Sequence, residues 1–219
     1  MKKVISVCLI LLSFYGSAQQ TSKFIDERDG KAYQTVVIGN QTWMAENLNV
    51  DRFRNGDIIP EAKTNEEWQK AGENKQPAWC YYDNDTINGA KYGKLYNWYA
   101  ISDERILAPR GWRVPSFVDW TTLNNQLEVD SGRKMKSSNG WKNWSDDINI
   151  HLGNGTNSSG FSAIPSGIRL NNGMFNELGV GAYWWDSLEF SHYLYGYVET
   201  LNIYENRKED GLSIRCIKD

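Results

Sequence analysis

Five short motifs rich in aromatic residues follow one another along the chain, and they constrain its fold more than any other feature. The motifs are Gln41-Thr-Trp-Met-Ala-Glu-Asn47, Tyr92-Gly-Lys-Leu-Tyr-Asn-Trp98, Gly111-Trp-Arg-Val-Pro-Ser116, Gly160-Phe-Ser-Ala-Ile-Pro165 and Ser213-Ile-Arg-Cys216. Each motif alone can arise by chance, but together they extend over most of the 219 residues. No linker, repeat or low-complexity run separates them, so we expect one domain.

The five motifs together resemble a single family, the Fibrobacter succinogenes major paralogous domain, over residues 28–219. The third motif followed by Trp120, with Arg215 and Cys216 near the C-terminus, is also similar to a broader group that includes C-type-lectin-like and sulfatase-modifying-factor domains. The resemblance implies an α+β, C-type-lectin-like fold with two or three helices, an irregular and mainly antiparallel sheet, and long loops. It implies no particular ligand, because the family is largely uncharacterised biochemically.

The first 18 residues have the pattern of a signal peptide. Lys2 and Lys3 give a basic start, an apolar stretch runs over residues 4–15, and small residues end at Ala18. The apolar stretch is too short to span a membrane. The alternative to a signal peptide is that these residues form a buried N-terminal strand. We therefore expect cleavage after Ala18 and one mature domain over residues 19–219, with no transmembrane segment. The protein would be secreted, periplasmic or on the cell surface.

Charge and cysteine content narrow the function further. The chain has a formal net charge of −3 and no basic run, which argues against a nucleic-acid partner. Cys8 lies inside the predicted signal peptide, so the mature chain keeps Cys80 and Cys216. An even pair in an oxidising compartment predicts a disulfide between them. The alternative is two buried free thiols, since sequence spacing cannot establish that the sulfurs meet.

Two segments carry signals for the start of a helix. Thr64 and Glu67 form a capping-box pattern, with Gly72 as a stop. Ser116 and Asp119 can cap a second helix, after an extended segment that ends at a proline. For the aromatic residues 95–99 a helix or a strand is possible, and we favour a helix.

The remaining segments favour strands and one long loop. Residues 137–160 are rich in Ser, Asn, Gly and Asp and too poor in large apolar residues for a regular element, which predicts a loop. Two hairpins are expected, one around Gly39-Asn40 and one around Asn171-Asn-Gly173. Strands are also predicted over 183–185, 193–197, 201–204 and 214–217. With the early helices, these strands indicate an α+β fold.

Few familiar catalytic motifs are present. The only histidines are His151 and His192, and the sequence lacks a nucleophile elbow, a His-Glu-x-x-His zinc motif and a phosphate loop. Cys80 and Cys216 lack the local pattern on which sulfatase-modifying activity depends. We expect a non-catalytic protein, with a glycoside hydrolase that uses two carboxylates as the alternative.

The ten tryptophans and many tyrosines favour a binding module over an enzyme, because exposed aromatic rings can stack on sugars. The residues predicted to bind a ligand lie in the long loop: Trp141, Asn143, Trp144, Asp146 and Asp147. The alternative for either tryptophan is a place in the core. The expected partner is a polysaccharide or a cell-surface protein, and the alternative function is a structural surface component.

Calcium is possible at an oxygen-rich segment, although no other cofactor is expected. Asp83 and Asp85 bring two carboxylates close together, followed by Asn88-Gly89. The spacing departs from an EF-hand, and Lys94 stands where a closing glutamate would be needed. A solvated turn is the alternative for this segment.

Overall fold

A computed structural model describes residues 19–145 and 150–219. The predicted signal peptide and its Cys8 therefore lie outside the described residues, as do Asp146 and Asp147.

The described chain is α+β. The helices are α1 (Asn65–Glu73), α2 (Thr86–Tyr92), α3 (Trp98–Ile101), α4 (Phe117–Leu127) and α5 (Ser131–Met135). The strands are β1 (Thr21–Ile25), β2 (Ala32–Ile38), β3 (Gln41–Met44), β4 (Trp79–Cys80), β5 (Leu95–Tyr96), β6 (Trp112–Arg113), β7 (Trp144–Ser145), β8 (Ile150–His151), β9 (Ile168–Arg169), β10 (Phe175–Asn176), β11 (Gly181–Trp185), β12 (Phe190–Tyr195), β13 (Asn202–Glu205) and β14 (Ile217–Lys218).

The largest sheet joins the two ends of the described chain. Its five strands have the order β1-β2-β3-β14-β6, and all neighbours are antiparallel. The predicted hairpin around Gly39-Asn40 is confirmed, because Ile38 pairs with Gln41 across it. The C-terminal strand lies between β3 and β6, with Ile217 opposite both Trp43 and Arg113. Strands from the first and third motifs are thereby brought beside β14, which directly follows the fifth motif.

A second antiparallel sheet, β11-β12-β13, lies between two parts of the core. Side chains of a strand alternate between its two faces. On β11, Tyr183 and Trp185 belong to one cluster of buried residues, here called the first core cluster. Ala182 and Trp184 belong to another, the second core cluster. All five residues of β11 are buried, so this strand is covered on both faces.

Both predicted helix caps are confirmed. Thr64 accepts a hydrogen bond from the Glu67 amide in a capping box before α1, and Ser116 with Asp119 forms the equivalent box before α4. The helix favoured for residues 95–99 is wrong in part. Residues 95 and 96 form β5, and α3 begins only at Trp98, because the Asn97 side chain accepts from the Ala100 amide and caps the helix there.

The later expectations also hold in outline. The hairpin around Asn171-Asn-Gly173 is confirmed by the pairing of β9 with β10, and the strands predicted over 183–185 and 201–204 match β11 and β13 closely. The strand predicted over 193–197 begins earlier and ends at Tyr195, and that over 214–217 is reduced to β14. Residues 137–160 are irregular where described, apart from the short β7-β8 pair.

The predicted disulfide between Cys80 and Cys216 is wrong, and the two thiols are buried and unpaired. Cys80 belongs to a third core cluster with Trp68 and Leu95, whereas Cys216 belongs to the first core cluster. Each thiol is therefore surrounded by its own set of apolar side chains. Burial raises the pKa of each thiol to about 12, which keeps both protonated near neutral pH. Across the described residues, no helix combines the length and the apolar character that a membrane span requires.

Candidate functional site

The aromatic motifs meet inside the molecule rather than at its surface. Arg215 from the last motif is fully buried, and its guanidinium donates to Asn47 Oδ1 of the first motif at 2.9 and 3.2 Å. It also donates to the carbonyl of Phe161 in the fourth motif, and its guanidinium carbon lies 4.5 Å from the centre of that ring. The motifs therefore specify the interior, and a ligand site has to be sought elsewhere.

Of the two tryptophans predicted to bind a ligand, Trp141 belongs to the core. It is 4% exposed, and its Nε1 donates to Ser137 Oγ at 3.2 Å and to the Ala163 carbonyl at 3.1 Å. Its ring has no face available to a sugar, so Trp141 has to be removed from the predicted site. Asn143 holds the loop in shape, because its Oδ1 accepts from the Gly153 amide.

Trp144 is different, because the residue is 37% exposed and its ring stands at the end of a row of aromatic side chains. The Trp144 ring stacks on the ring of His151, with 4.1 Å between the ring centres. The two residues are also paired across strands β7 and β8. The rings of Trp144 and Tyr197 make an edge-to-face contact at 5.6 Å between ring centres, and Tyr197 stacks on Tyr195 at 5.1 Å. The row thus continues from the loop onto β12.

The far end of the row enters a surface cleft of about 300 Å³, here called the tyrosine cleft. Tyr193 and Tyr195 reach it from one face of β12, since residues two apart share a face of a strand. Tyr183 comes from β11 and lies 5.7 Å from Tyr193. The cleft is lined by Ile168, Leu170, Asn176, Glu177, Tyr183, Tyr193, Tyr195, Tyr204 and Asn206.

Glu177 is the carboxylate of this cleft, and two tyrosines fix it. Tyr183 donates its hydroxyl hydrogen to Oε2, and Tyr195 donates to Oε1 at 2.7 Å. Burial, reinforced by the neighbouring carboxylate, raises the pKa of Tyr183 above its ordinary value, so this hydroxyl keeps its hydrogen. The backbone of Glu177 has φ 68°, which is uncommon for a residue other than glycine, and the Val180 and Gly181 amides donate to its carbonyl.

Sequence reasoning missed most of this cleft. Tyr193, Tyr195 and Tyr197 were visible as an alternating row, which predicts a strand with one aromatic face. Nothing in the sequence connects that row with Glu177 or with Tyr204, because they come from a turn before β11 and from β13. Only the pairing of the three strands brings these residues together.

The segment proposed for calcium has the geometry of a capped turn. Asp85 caps α2 by accepting from the Ile87 amide at 2.8 Å, and Asn88 Nδ2 donates to the Tyr82 carbonyl. Asp83 lies in a short 3-10 helix with φ 54°. No cluster of three or more His, Cys, Asp or Glu side chains suited to a metal occurs among residues 19–145 and 150–219. Calcium binding by Asp83 and Asp85 stays a prediction.

Comparison with known protein families gives one match of wide extent. The model of the Fibrobacter succinogenes major domain matches residues 36–218, which include all five aromatic motifs. Neither the curated proteins nor the solved structures contain a match to this chain. The match covers more than half of the chain, from β2 to the last strand, and includes both residues of the buried Arg215–Asn47 contact. The chain belongs to the Fibrobacter succinogenes major domain family.

Proposed function

We propose that this protein is an exported, non-catalytic module that binds a polysaccharide through the tyrosine cleft and the aromatic row leading to Trp144. The observation that carries the proposal is the continuity of the rings, from Trp144 through Tyr197 and Tyr195 to Tyr193 and Tyr183. The proposal includes a C-type-lectin-like fold and a location in the periplasm, at the cell surface or outside the cell.

Exposed ring faces support a sugar ligand. Tyr197 and Tyr204 are 52% and 59% exposed; Tyr197 stacks on the half-buried Tyr195, and Tyr204 lines the tyrosine cleft. An aromatic face offers a flat apolar surface to the C–H groups of a sugar ring, and its hydroxyl remains available for hydrogen bonds. Successive rings along a row suit successive units of a chain-like ligand.

Glu177 supplies the polar part of the proposed site. A carboxylate has about four acceptor positions on its two oxygens. Two of them are taken by Tyr183 and Tyr195, which leaves acceptors for sugar hydroxyl groups. Because the tyrosines hold the carboxylate in one orientation, little side-chain freedom is lost when a ligand binds.

A binding role is favoured over hydrolysis by the number of carboxylates. A glycoside hydrolase of the usual kind needs two, about 5 to 9.5 Å apart across the bond that is cleaved. Among the described lining residues of the tyrosine cleft, Glu177 is the single carboxylate. Its two oxygens already accept hydrogen bonds from tyrosines, an arrangement that suits positioning of hydroxyl groups.

The test is binding of residues 19–219 to a panel of polysaccharides, run with calcium and with a chelator. The double variant Trp144→Ala, Tyr204→Ala should weaken binding of a ligand found in the panel by about tenfold or more, because it removes two ring faces. Phe117→Ala is the matched control, since Phe117 is 44% exposed and contacts His192, on the other face of β12.

Each outcome separates two interpretations. Weaker binding in the double variant with an unchanged melting temperature supports the cleft, whereas equal binding in wild type and variant contradicts it. If folded protein binds nothing in the panel, the protein is better explained as a structural component or as a partner for another protein. Turnover of a polysaccharide that stops in Glu177→Gln would favour the hydrolase.

A further inference from the structure

A second pocket, formed by other parts of the chain, concentrates positive charge. It has a volume of about 330 Å³ and lies between β1, the loop at residues 52–56 and the segment just before the third motif. Arg28, Arg52, Arg54 and Arg110 line it, together with Phe24. We call it the arginine pocket. Four arginines in one pocket stand out in a chain whose net charge is −3.

The carboxylates of the pocket do not cancel this charge. Asp26 and Glu27 are in its lining, so four positive groups face two negative ones, which leaves a formal charge of +2. Asp26 is committed to Arg28, which it holds through both oxygens at 2.7 to 3.2 Å. Among the described residues, Glu27 forms no ion pair with an arginine. It therefore reduces the positive charge of the pocket only through longer-range electrostatics.

Two of the arginines, Arg28 and Arg54, are held rigidly, and Arg54 is held by neutral groups alone. Arg54 donates to the carbonyls of Ala108, Pro109 and Trp112 at 2.9 to 3.1 Å, and these neutral acceptors leave its positive charge uncompensated. Arg28 is fixed on its other side by the carbonyl of Leu107. Rigid guanidinium groups lose little freedom when they bind an anion.

The other two arginines are available to a ligand. Arg110 is exposed, and no hydrogen bond or ion pair joins it to another residue in the described parts of the chain. Arg52 makes a loose pair with the half-exposed Asp51 at 3.7 Å and donates to the carbonyl of Gly56 at 3.2 Å, so no close carboxylate of the described residues compensates its charge. A guanidinium donates two parallel hydrogen bonds to an oxyanion, and such charge-assisted bonds are about twice as strong as neutral ones.

The pocket also has an apolar wall. Phe24 lines it and is half-buried, with its ring 5.2 Å from that of Trp112. A ring beside guanidinium groups suits a ligand with both an apolar face and an oxyanion. The volume is near the lower end of the range for small-ligand pockets, which limits the ligand to about one sugar unit at a time.

We infer that the arginine pocket binds an acidic sugar unit, with its carboxylate or sulfate on Arg52 and Arg110 and its ring beside Phe24. This site is separate from the tyrosine cleft, whose own carboxylate disfavours an acidic ligand. The inference does not depend on the proposed function, since it rests on different residues and different chemistry.

The experiment measures binding of three oligosaccharides to residues 19–219 by titration calorimetry. The probes are a trigalacturonate, a sulfated galactan trisaccharide and the neutral trigalactose of matched length. The two acidic probes should bind more tightly than the neutral one, and added salt should weaken the acidic probes alone. Comparing the two acidic probes decides whether a carboxylate or a sulfate is preferred.

Charge-neutral variants locate the site. Arg52→Gln, Arg110→Gln should weaken binding of the preferred acidic probe by about tenfold or more, because two charge-assisted contacts are lost. The matched control is Lys70→Gln, Lys75→Gln, which removes the same charge from exposed positions on and just after α1. The single variant Arg110→Gln is included in case the double variant fails to fold. It should fold normally, since it breaks no contact within the described chain.

Three results would overturn the inference. The first is equal affinity for the neutral and the acidic probes, and the second is unchanged affinity in both arginine variants. The third is an equal loss in the lysine control, which would indicate unspecific attraction. Trp144→Ala, Tyr204→Ala is titrated in parallel: if this variant alone loses the acidic probe, the acidic sugar binds in the tyrosine cleft and the arginine pocket does not bind it.

Discussion

At the scale of single residues, the central contact of the molecule is a buried cation that has no carboxylate partner among the described residues. Arg215 donates to Asn47 Oδ1 and to main-chain carbonyls, and it faces the rings of Phe161 and Trp184. Burial lowers the pKa of Arg215 to about 9. The charge is stabilised by oriented dipoles and aromatic faces, so removing any partner leaves a polar group unsatisfied in the core.

Arg215→Ala is expected to lower the free energy of unfolding by about 2 to 5 kcal/mol, because the buried carbonyl of Phe161 loses this donor, Asn47 Oδ1 keeps only that of Trp184, and a cavity is left in the core. Asn47→Ala should also be destabilising, since it leaves the charge of Arg215 poorly compensated. The double variant should lose about 1 to 3 kcal/mol less than the sum of the single variants, as residues in direct contact do. Urea unfolding of all four proteins measures the coupling, and additive effects would contradict the contact.

At the scale of elements, the cap of α4 combines a capping box with an ion pair. Asp119 accepts from the backbone amide and hydroxyl of Ser116, and its two oxygens lie 2.5 and 2.8 Å from the guanidinium of Arg113 on β6. Partial burial opposes ionisation of the carboxyl group, but these hydrogen bonds outweigh it and lower the pKa of Asp119 to about 2. The helix is thereby attached to the large sheet.

Asp119→Asn should be less stable than wild type at neutral pH, by about 1 kcal/mol, because the ion pair with Arg113 is lost and the capping box with Ser116 is weakened. The pKa is lower in the folded protein than in the unfolded chain, so the stabilisation is complete above about pH 4 and is lost as the pH falls toward about 2. Melting temperatures measured between pH 7 and pH 2 should therefore converge for the two proteins. A difference that stays constant over this range would show that the charge of Asp119 contributes nothing.

A second element, the turn after β12, is held by a buried lysine. Lys136 Nζ donates to the carbonyls of Tyr195, Gly196 and Val198 at 2.8 to 3.1 Å. Burial lowers the pKa of Lys136 to about 8. The turn contains Tyr197 and follows Tyr195 directly, so the lysine fixes the place where the aromatic row passes from the strand to the loop.

Lys136→Met should remove the donor for three carbonyls and cost about 1 to 3 kcal/mol. If the proposed function is right, the variant should also bind the polysaccharide more weakly at a temperature where it is fully folded, because Tyr195 and Tyr197 lose their relative position. Lys70→Met, on the exposed face of α1, is the control for the loss of a charge. Normal affinity in folded Lys136→Met would mean that the turn does not position the rings.

At the scale of the whole molecule, local features were predictable and distant contacts were not. The caps at Thr64 and Ser116 and the hairpin at residues 171–173 depend on side chains three or fewer positions apart, so the sequence alone indicates them. The insertion of β14 between β3 and β6 joins residues more than 100 positions apart, and neither hydrophobic pattern nor turn chemistry encodes it. The separation of the cysteines and the assembly of the tyrosine cleft depend on such contacts, and for that reason both were missed.

The same distant contacts predict that the molecule unfolds as one unit. Adjacent residues of single strands belong to different core clusters, as Trp184 and Trp185 do on β11, and Trp43 and Met44 on β3. Neither cluster can lose its packing while the strands that it shares with the other stay in place. If one cluster unfolds, the shared strands lose their structure, and the other cluster loses the side chains that these strands contribute to it.

Phe53→Ala in the first core cluster and Leu123→Ala in the second should each cost about 2 to 5 kcal/mol, since both side chains are fully buried. Each variant should shift a single urea transition, with coincident curves from tryptophan fluorescence and far-ultraviolet circular dichroism. Two transitions, of which each variant moves only one, would show that the clusters fold separately. In that case the shared strands would not couple them, and β11 would have to keep its structure with one face uncovered.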